Sequence, residues 1–307
     1  MNTSTKSRPS HAPVTATVLS VEKLSPHFIR ITFAAPGVGS SGSGIFDQRI
    51  KLIFPAPGHA LPVLSGVNGN WYATWCALPE ATRGVMRTYS IRALDETVAP
   101  VHLTVDFVIH TDPGPAAAWA EDATRGDEII IVAPQPGAEP SGIEFAPGDA
   151  TAIVLAGDET AAPAIARILE DLGPDSTGVA FIEIPTPADV LPISTPSGVD
   201  IRWLPRLGAG HGELLIPAVL GHLGVTLIRA HPTVAESASD LLWETPVFSS
   251  MGEELAETCS DRHTYYWIAG ESALVTGLRR ALVKEHGLDR SQVAFMGYWK
   301  QGVAMRG

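Results

Sequence analysis

The chain has 307 residues, 45% of them hydrophobic and 18% charged, with a net charge of −12. That length exceeds what one hydrophobic core usually serves, so two domains are expected, and the acidity argues against nucleic acid, whose phosphates need a basic face. No apolar run reaches membrane-spanning length. Residues 1–13 lack the apolar core of a secretory signal and read as a frayed tail. Cys76 and Cys259 share no metal-like spacing, which fits a reducing compartment and excludes a zinc or iron–sulfur site held by this chain's cysteines. A cytoplasmic monomer with no membrane partner is expected.

The first half is written in strands and turns. Residues 14–21 are β-branched and threonine-rich, 27–33 place Ile29, Ile31 and Phe33 on one face, and 48–54 form a third strand closed by Pro55–Gly58. A fourth run, Met86-Arg87-Thr88-Tyr89-Ser90-Ile91-Arg92, follows; residues 101–109 alternate almost strictly, and 128–132 make a sixth strand. Short strands joined by Gly/Pro turns predict a six-stranded antiparallel β-barrel over residues 14–147.

From residue 148 to 307 the pattern changes to apolar strands alternating with helices, which predicts a parallel sheet covered on both faces. Residues 151–156 are a wholly apolar strand, and Ile165, Ile168, Leu169 and Leu172 mark the helix after it. Strands follow at 178–184, 199–204, 265–269 and 293–296, with a helix over 271–286. Residues 229–261 are hard to place and have room for two short helices.

Gly37-Val38-Gly39-Ser40-Ser41-Gly42 matches the dinucleotide fingerprint letter for letter, but no helix pattern follows it, so a loop is expected. Gly208, Gly210 and Gly212 read as a turn. Ala156-Gly157-Asp158-Glu159-Thr160 has the strand–turn–helix context of a nucleotide site. Its two carboxylates would repel a phosphate, so a nucleotide would meet it with nicotinamide or ribose; the alternative is an ordinary helix cap. At Gly114-Pro115-Ala116-Ala117 a short helix opens on proline among small residues, which suits either a pyrophosphate or a plain connector. On a regular strand Arg87 and Tyr89 share one face and Thr88 and Ser90 the other. A guanidinium beside a flat ring fits a phosphate-bearing heterocycle such as flavin dinucleotide; it equally fits a surface ladder on a sheet.

In order, RTYSIR (87–92), DFVIH (106–110), GPAAAWA (114–120), RGDEI (125–129), AGDETAAPAIARILE (156–170), AGESALV (269–275) and GYWKQG (297–302) resemble the siderophore-interacting proteins, FAD-dependent ferric-siderophore reductases of the ferredoxin-reductase-like group. The resemblance spans nearly the whole chain. It implies an FAD-binding barrel followed by an α/β NAD(P)H-binding domain, with NADH or NADPH as donor and a ferric siderophore as acceptor. It implies that Arg87 meets the FAD pyrophosphate, with Thr88 beside it, that Tyr89 packs on the isoalloxazine and that Ser90 borders the ring. The strand Asp106-Phe107-Val108, continuing to His110, follows the cofactor, and Gly114, Pro115, Ala116 and Ala117 hold its diphosphate. Asp158, Glu159 and Thr160 lie toward flavin and nicotinamide, with Tyr298 and Trp299 near them. Lys51 and Lys300 remain as cations for the iron complex, because Ala133-Pro134-Gln135-Pro136-Gly137 lacks the arginine that many members carry there. That loss favours a less anionic chelate. Ala117 replaces a serine common in the family, costing one hydrogen bond to a phosphate, about 1–3 kcal/mol. Glu183 suits a ribose hydroxyl, whereas Arg202 and Arg206 suit a 2′-phosphate, so the donor is left open.

Overall fold

The structure is a computed structural model that describes residues 10–40, 42, 44–64, 70–110, 113–224, 242–245 and 263–303. The chain divides into two compact units, with the break between Ile143 and Glu144.

The first unit contains β1 (His11–Lys23), β2 (Phe28–Ala34), β3 (Arg49–Phe54), α1 (Trp71–Ala77), β4 (Val85–Ser90), β5 (Ala93–Asp95), β6 (His102–Val108), α2 (Pro115–Asp122) and β7 (Glu128–Pro134). The strands form an antiparallel sheet in the order β4-β3-β7-β1-β2-β6-β5. Its two edges are β4 and β5, which Ile91 and Arg92 alone separate. The Ile91 N–H donates to Gln48 O before β3, and the Arg92 N–H donates to Thr104 O in β6. One segment therefore changes partners at a corner and curls the sheet toward closure. This is why the sequence reads as six strands where seven are found: β4 and β5 are two halves of one run.

Period-two patterning fixes the inside of the barrel. Ile50, Leu52 and Phe54 of β3 and Ile129 and Ile131 of β7 point into one core with Ile31, Phe33, Val105 and Phe107. The helix α2 packs on the same core, and Trp119 lies against Phe33, Phe54 and Phe107 with ring centroids 5.2–6.3 Å apart. The loop that carries the glycine fingerprint opens no helix: Gly37 turns with φ +79° and the Gly39 N–H donates to Pro134 O.

The second unit contains β8 (Ala152–Gly157), α3 (Ala162–Asp171), β9 (Thr177–Ile184), β10 (Gly198–Pro205), α4 (Leu215–His222), β11 (Trp243–Glu244), β12 (Thr264–Glu271), α5 (Ser272–Arg279) and β13 (Val293–Trp299). Its sheet order is β10-β9-β8-β12-β13-β11. All neighbours are parallel except β11, an antiparallel edge strand. Glu244 of that edge receives Arg279 Nε at 2.7 Å and Arg290 Nη2 at 2.9 Å. Of the stretch 229–261, only residues 242–245 fall among those described. Val154, Ala156, Val179 and Phe181 form one core with α4 and α5. The helix expected over 271–286 is α up to Arg279 and then a π-helical turn, Arg280–Glu285. Chain order reverses between β8 and β12, so the carboxyl ends of these two strands mark the crevice where open α/β sheets bind ligands.

Candidate functional site

The register of β3 against β4 sorts the side chains of the RTYSIR run. Leu52 pairs with Arg87 and Ile50 with Tyr89, so both site residues share the core-facing side of the sheet. Tyr89 lies 4.8 Å from Phe107, centroid to centroid, and burial holds its phenol well above the ordinary range. Arg87 is half-buried, and burial lowers its pKa although the neighbouring Tyr89 offsets part of this. Its Nη1 donates to Met86 O at 2.8 Å.

The helix α2 packs against β4 on this same side. Its N-cap is Gly114 in an extended conformation, and Pro115 has no N–H to satisfy. The first turn therefore presents the N–H groups of Ala116 and Ala117, and among the described residues no side chain accepts from them; the Ala118 N–H returns to Gly114 O. A Cβ added at Gly114 would meet nothing within 4 Å, so the approach to these donors is open. Two N–H groups without an acceptor among the described residues, a guanidinium beside the helix and no acid in its first turn are the chemistry that suits an anion. The residues present fit the diphosphate of FAD.

Thr88 and Ser90 point the other way, as expected. Lys51 pairs with Thr88 and Arg49 with Ser90, and Lys51 Nζ donates to Thr88 Oγ1 at 2.7 Å. Ser90 is the last residue of β4, at the corner where the segment bends. In β6, Phe107 faces the core while Asp106 faces outward. The Asp106 carboxylate receives Arg30 Nε at 2.7 Å and Nη2 at 2.8 Å, and Arg92 Nε lies 3.6 Å away. Its side chain is thus committed to holding β2 and the corner together, and only its backbone remains to follow a cofactor. Val108 and His110 continue that strand half-buried.

At the carboxyl end of the second sheet, the acids turn inward. Asp158 is fully buried. Its carboxylate accepts the Thr160 N–H (2.9 Å) and hydroxyl (2.5 Å), the Glu271 N–H (2.6 Å) and Trp299 Nε1 (3.0 Å). Burial, and then the charge of Glu159, push its pKa up to about 6. Gly270, with φ +138°, lets the strand pass this carboxylate; a Cβ there would sit 2.7 Å from Asp158 Oδ2. Glu159, also fully buried, accepts from Arg206 Nη1 (2.6 Å) and Nη2 (2.8 Å) and from His211 Nε2 (3.1 Å). Burial alone would raise its pKa, but these hydrogen bonds and the Arg206 charge outweigh it and hold Glu159 at about 2.

Glu183 accepts the N–H groups of Gly212, Leu214 and Leu215 at 2.9–3.1 Å, which open α4. Glu271 accepts those of Ala273 and Leu274, which open α5. Neither the Glu183 carboxylate nor Arg206 is therefore available to distinguish the ribose of NADH from that of NADPH. Arg202 lies mid-strand over the ring of Phe181, 5.3 Å from its centroid.

The structure brings together Asp158, Glu159, Thr160 and Trp299, and places His211 edge-on to Trp299 at 4.9 Å. It separates Tyr298, which stacks on Trp243 at 6.1 Å and meets Trp267 at 6.3 Å. Lys300 follows β13, and the next residue, Gln301, donates its N–H to Glu271. The sequence reading missed Glu271 as the cap of α5, and Arg206 and His211 as the partners of Glu159. The Glu-Ser-Ala-Leu start of α5 is a cap signal that was there to find; the pairings over dozens of residues were not.

The chain is similar to known proteins over both units. Residues 17–138 match the siderophore-interacting FAD-binding domain, and residues 150–302 match the siderophore-interacting protein model. The uncharacterized protein Rv2895c of Mycobacterium tuberculosis is 30% identical, covering 96% of this chain and 92% of its own. An NADPH-dependent ferric-chelate reductase of Escherichia coli is 27% identical over 92% of this chain and 91% of its own. The crystal structure of a siderophore utilization protein from T. fusca superposes with a TM-score of 0.67 at 28% identity, covering 97% of this chain and 96% of that one. The curled antiparallel sheet, the mixed and largely parallel second sheet and matches spanning both units lead to one conclusion: the chain belongs to the siderophore-interacting protein family, with the ferredoxin-reductase-like fold.

Proposed function

We propose that the chain is an NAD(P)H-dependent, FAD-containing reductase that acts on ferric siderophores in the cytoplasm as a monomer. The observation that carries this reading is the N-terminus of α2, capped by no described side chain, beside Arg87 and Tyr89, on a barrel whose opposite sheet face presents Lys51 against Thr88 and Arg49 against Ser90. The ferric-chelate reductase of E. coli, similar over both units, supports it.

Arg87 and the N–H groups of Ala116 and Ala117 would hold the FAD diphosphate, Tyr89 would pack on the flavin ring, and Ser90 would border it. When bound, FAD supplies the chemistry, taking an electron pair from NAD(P)H and releasing electrons singly to iron. Lys51 draws anionic chelates toward the Ser90 edge and raises their encounter rate. Reduction loosens the metal, because iron(II) is held less well than iron(III) by hard oxygen donors. Asp158 holds Trp299 and the Gly270–Glu271 backbone in place and, with every oxygen engaged, abstracts no proton. Among the described residues no helix is long and apolar enough to cross a membrane.

Steady-state turnover with NADH tests the acceptor. Ferric chelates should be reduced faster than oxygen or added free flavin. A preference for free flavin would make the protein a general flavin reductase, and bound flavin that NAD(P)H never bleaches would make it a non-catalytic binder.

A further inference from the structure

Glu159 and Trp299 meet at His211, a residue to which the reductase reading gives no task. It lies in the loop from β10 to α4, which Glu183 pins by accepting the N–H groups of Gly212, Leu214 and Leu215. Gly212 turns there with φ +84°, and a Cβ on it would lie 3.2 Å from Ile216 and 3.3 Å from Leu274, so the backbone has little room to shift. The ring is fixed as well. Its Nε2 lies 3.1 Å from Glu159 Oε1, and its plane stands at 83° to the Trp299 indole. That indole is itself held by Asp158 through Nε1. Asp158, Glu159 and His211 bring three ligand-type atoms within 4.8 Å of one another, but a dication there would meet Arg206, which donates to both oxygens of Glu159. The cluster is an ion-pair network, and what it delivers is an oriented imidazole.

Glu159 decides which nitrogen keeps a proton. An ionised carboxylate only accepts, so Nε2 donates in either charge state of the ring and Nδ1 is left over. Among the described residues Nδ1 makes no hydrogen bond. The described buried side-chain atoms without a partner are Arg167 Nε and Thr195 Oγ1, so Nδ1, which is not one of them, is reached by solvent. Burial alone would lower the pKa of His211, but the hydrogen bond and charge of Glu159 outweigh it and raise it. As pH climbs through that value, Nδ1 changes from an N–H donor to a lone-pair acceptor. A primary amide suits both forms, because its oxygen accepts and its NH2 donates. Nicotinamide carries one on a flat ring, and Trp299 beside His211 supplies an aromatic neighbour for that ring.

We propose that His211 is a specificity-determining residue for the electron donor, its Nδ1 recognising the carboxamide of a nicotinamide ring that lies against Trp299. This rests on the NAD(P)H-dependent reading and adds to it the group that reads the carboxamide. The test needs no turnover. NAD+, NADP+ and their nicotinic acid analogues, in which a carboxylate replaces the carboxamide, would be titrated calorimetrically into the FAD-loaded protein at pH 7 and pH 9. A carboxylate only accepts, so the analogues should bind about tenfold or more weakly at pH 9, while the carboxamide dinucleotides change less than about threefold. The charged groups around His211 are Asp158, Glu159 and Arg206, with Glu183 at 3.6 Å from Arg206, Glu213 on its own loop and Lys300 after Trp299. Asp158, at about 6, and Glu159, at about 2, are ionised throughout this interval. His211→Gln keeps an N–H for Glu159 and lacks Nδ1. It should melt as the wild type does, weaken the carboxamide dinucleotides about fivefold and abolish the pH dependence of the analogues. A merely structural role would be rescued by this variant. Analogue binding that ignores pH in the wild type, or wild-type affinities in His211→Gln, would overturn this assignment alone. A wild type that binds none of the four dinucleotides would refute the NAD(P)H-dependent reading and this assignment with it.

Discussion

The helix that opens at Gly114 and the two that open at Leu215 and Ser272 start in opposite ways. The first turn of α2 presents the N–H groups of Ala116 and Ala117 to no described side chain, with Arg87 on the strand beside it. The first turns of α4 and α5 are filled by Glu183 and Glu271, both buried. A helix N-terminus attracts one anion. Where a described carboxylate supplies that anion, the helix start is filled; where a guanidinium lies beside it instead, the start suits an anionic ligand. On the proposed reading, phosphate binding falls to the first unit, and the second would receive its dinucleotide by other contacts.

The comparison can be broken most severely at Glu183. Glu183→Ala strips three N–H groups of their acceptor and leaves Arg206, 3.6 Å away, with less compensation. Losing a buried charged partner costs about 3–5 kcal/mol, so chemical denaturation should show the second unit destabilised while the first retains FAD. A loss of FAD with no change in stability would reverse the assignment.

Asp158 gives a pH signature of the inward-turned acids. Its pKa is raised from an ordinary 3.8 to about 6, so the fold binds more protons than the unfolded chain in that interval. Its contribution favours folding below about pH 4, is lost as pH rises to about 6 and is constant above, on the order of 3 kcal/mol in all. In Asp158→Asn this slope should vanish, and melting curves from pH 4 to 6.5 should show the variant gaining on the wild type. Parallel curves would mean that Asp158 stays ionised throughout.

Arg87→Ala should leave the stability of the cofactor-free protein nearly unchanged and raise the FAD dissociation constant about 10- to 150-fold, the worth of a hydrogen bond to a charged group. Flavin fluorescence on dilution measures it, and full retention would remove Arg87 from the phosphate site.

The smallest change sharpens the contrast furthest. Gly114→Asp places on α2 the kind of cap that α4 and α5 already have, with open space for the side chain. It should stabilise the cofactor-free protein by roughly a few tenths of a kcal/mol, since glycine is itself a tolerable cap, and weaken FAD binding. Opposite signs in the two assays are the expected result; a gain in both would contradict an anion site there.

Much of this was legible in the sequence, for physical reasons. Period-two alternation in β6 and the apolar runs of β8 and β12 announce their strands, and register then follows from which residues must be buried. Arg87 and Tyr89 on one face, with Thr88 and Ser90 on the other, needed only the geometry of a strand. What the sequence hid depends on distant partners. Glu183 looks like a ribose ligand until the turn at Gly212, 29 residues on, takes its carboxylate. Asp106 looks like part of a cofactor motif until Arg30, 76 residues away, takes both its oxygens. Tyr298 and Trp299 are neighbours in sequence, yet strand alternation sends one toward Trp243 and the other toward Asp158. The short β5 merged with β4 because only two residues divide them.

The visible absorption spectrum of the purified protein, recorded under anaerobic conditions before NADH, after NADH and after a ferric chelate, tests the central claim most directly. The account predicts a flavin band at the start, its bleaching by the donor and its return as the chelate is reduced. A colourless protein that takes up no added FAD would contradict it.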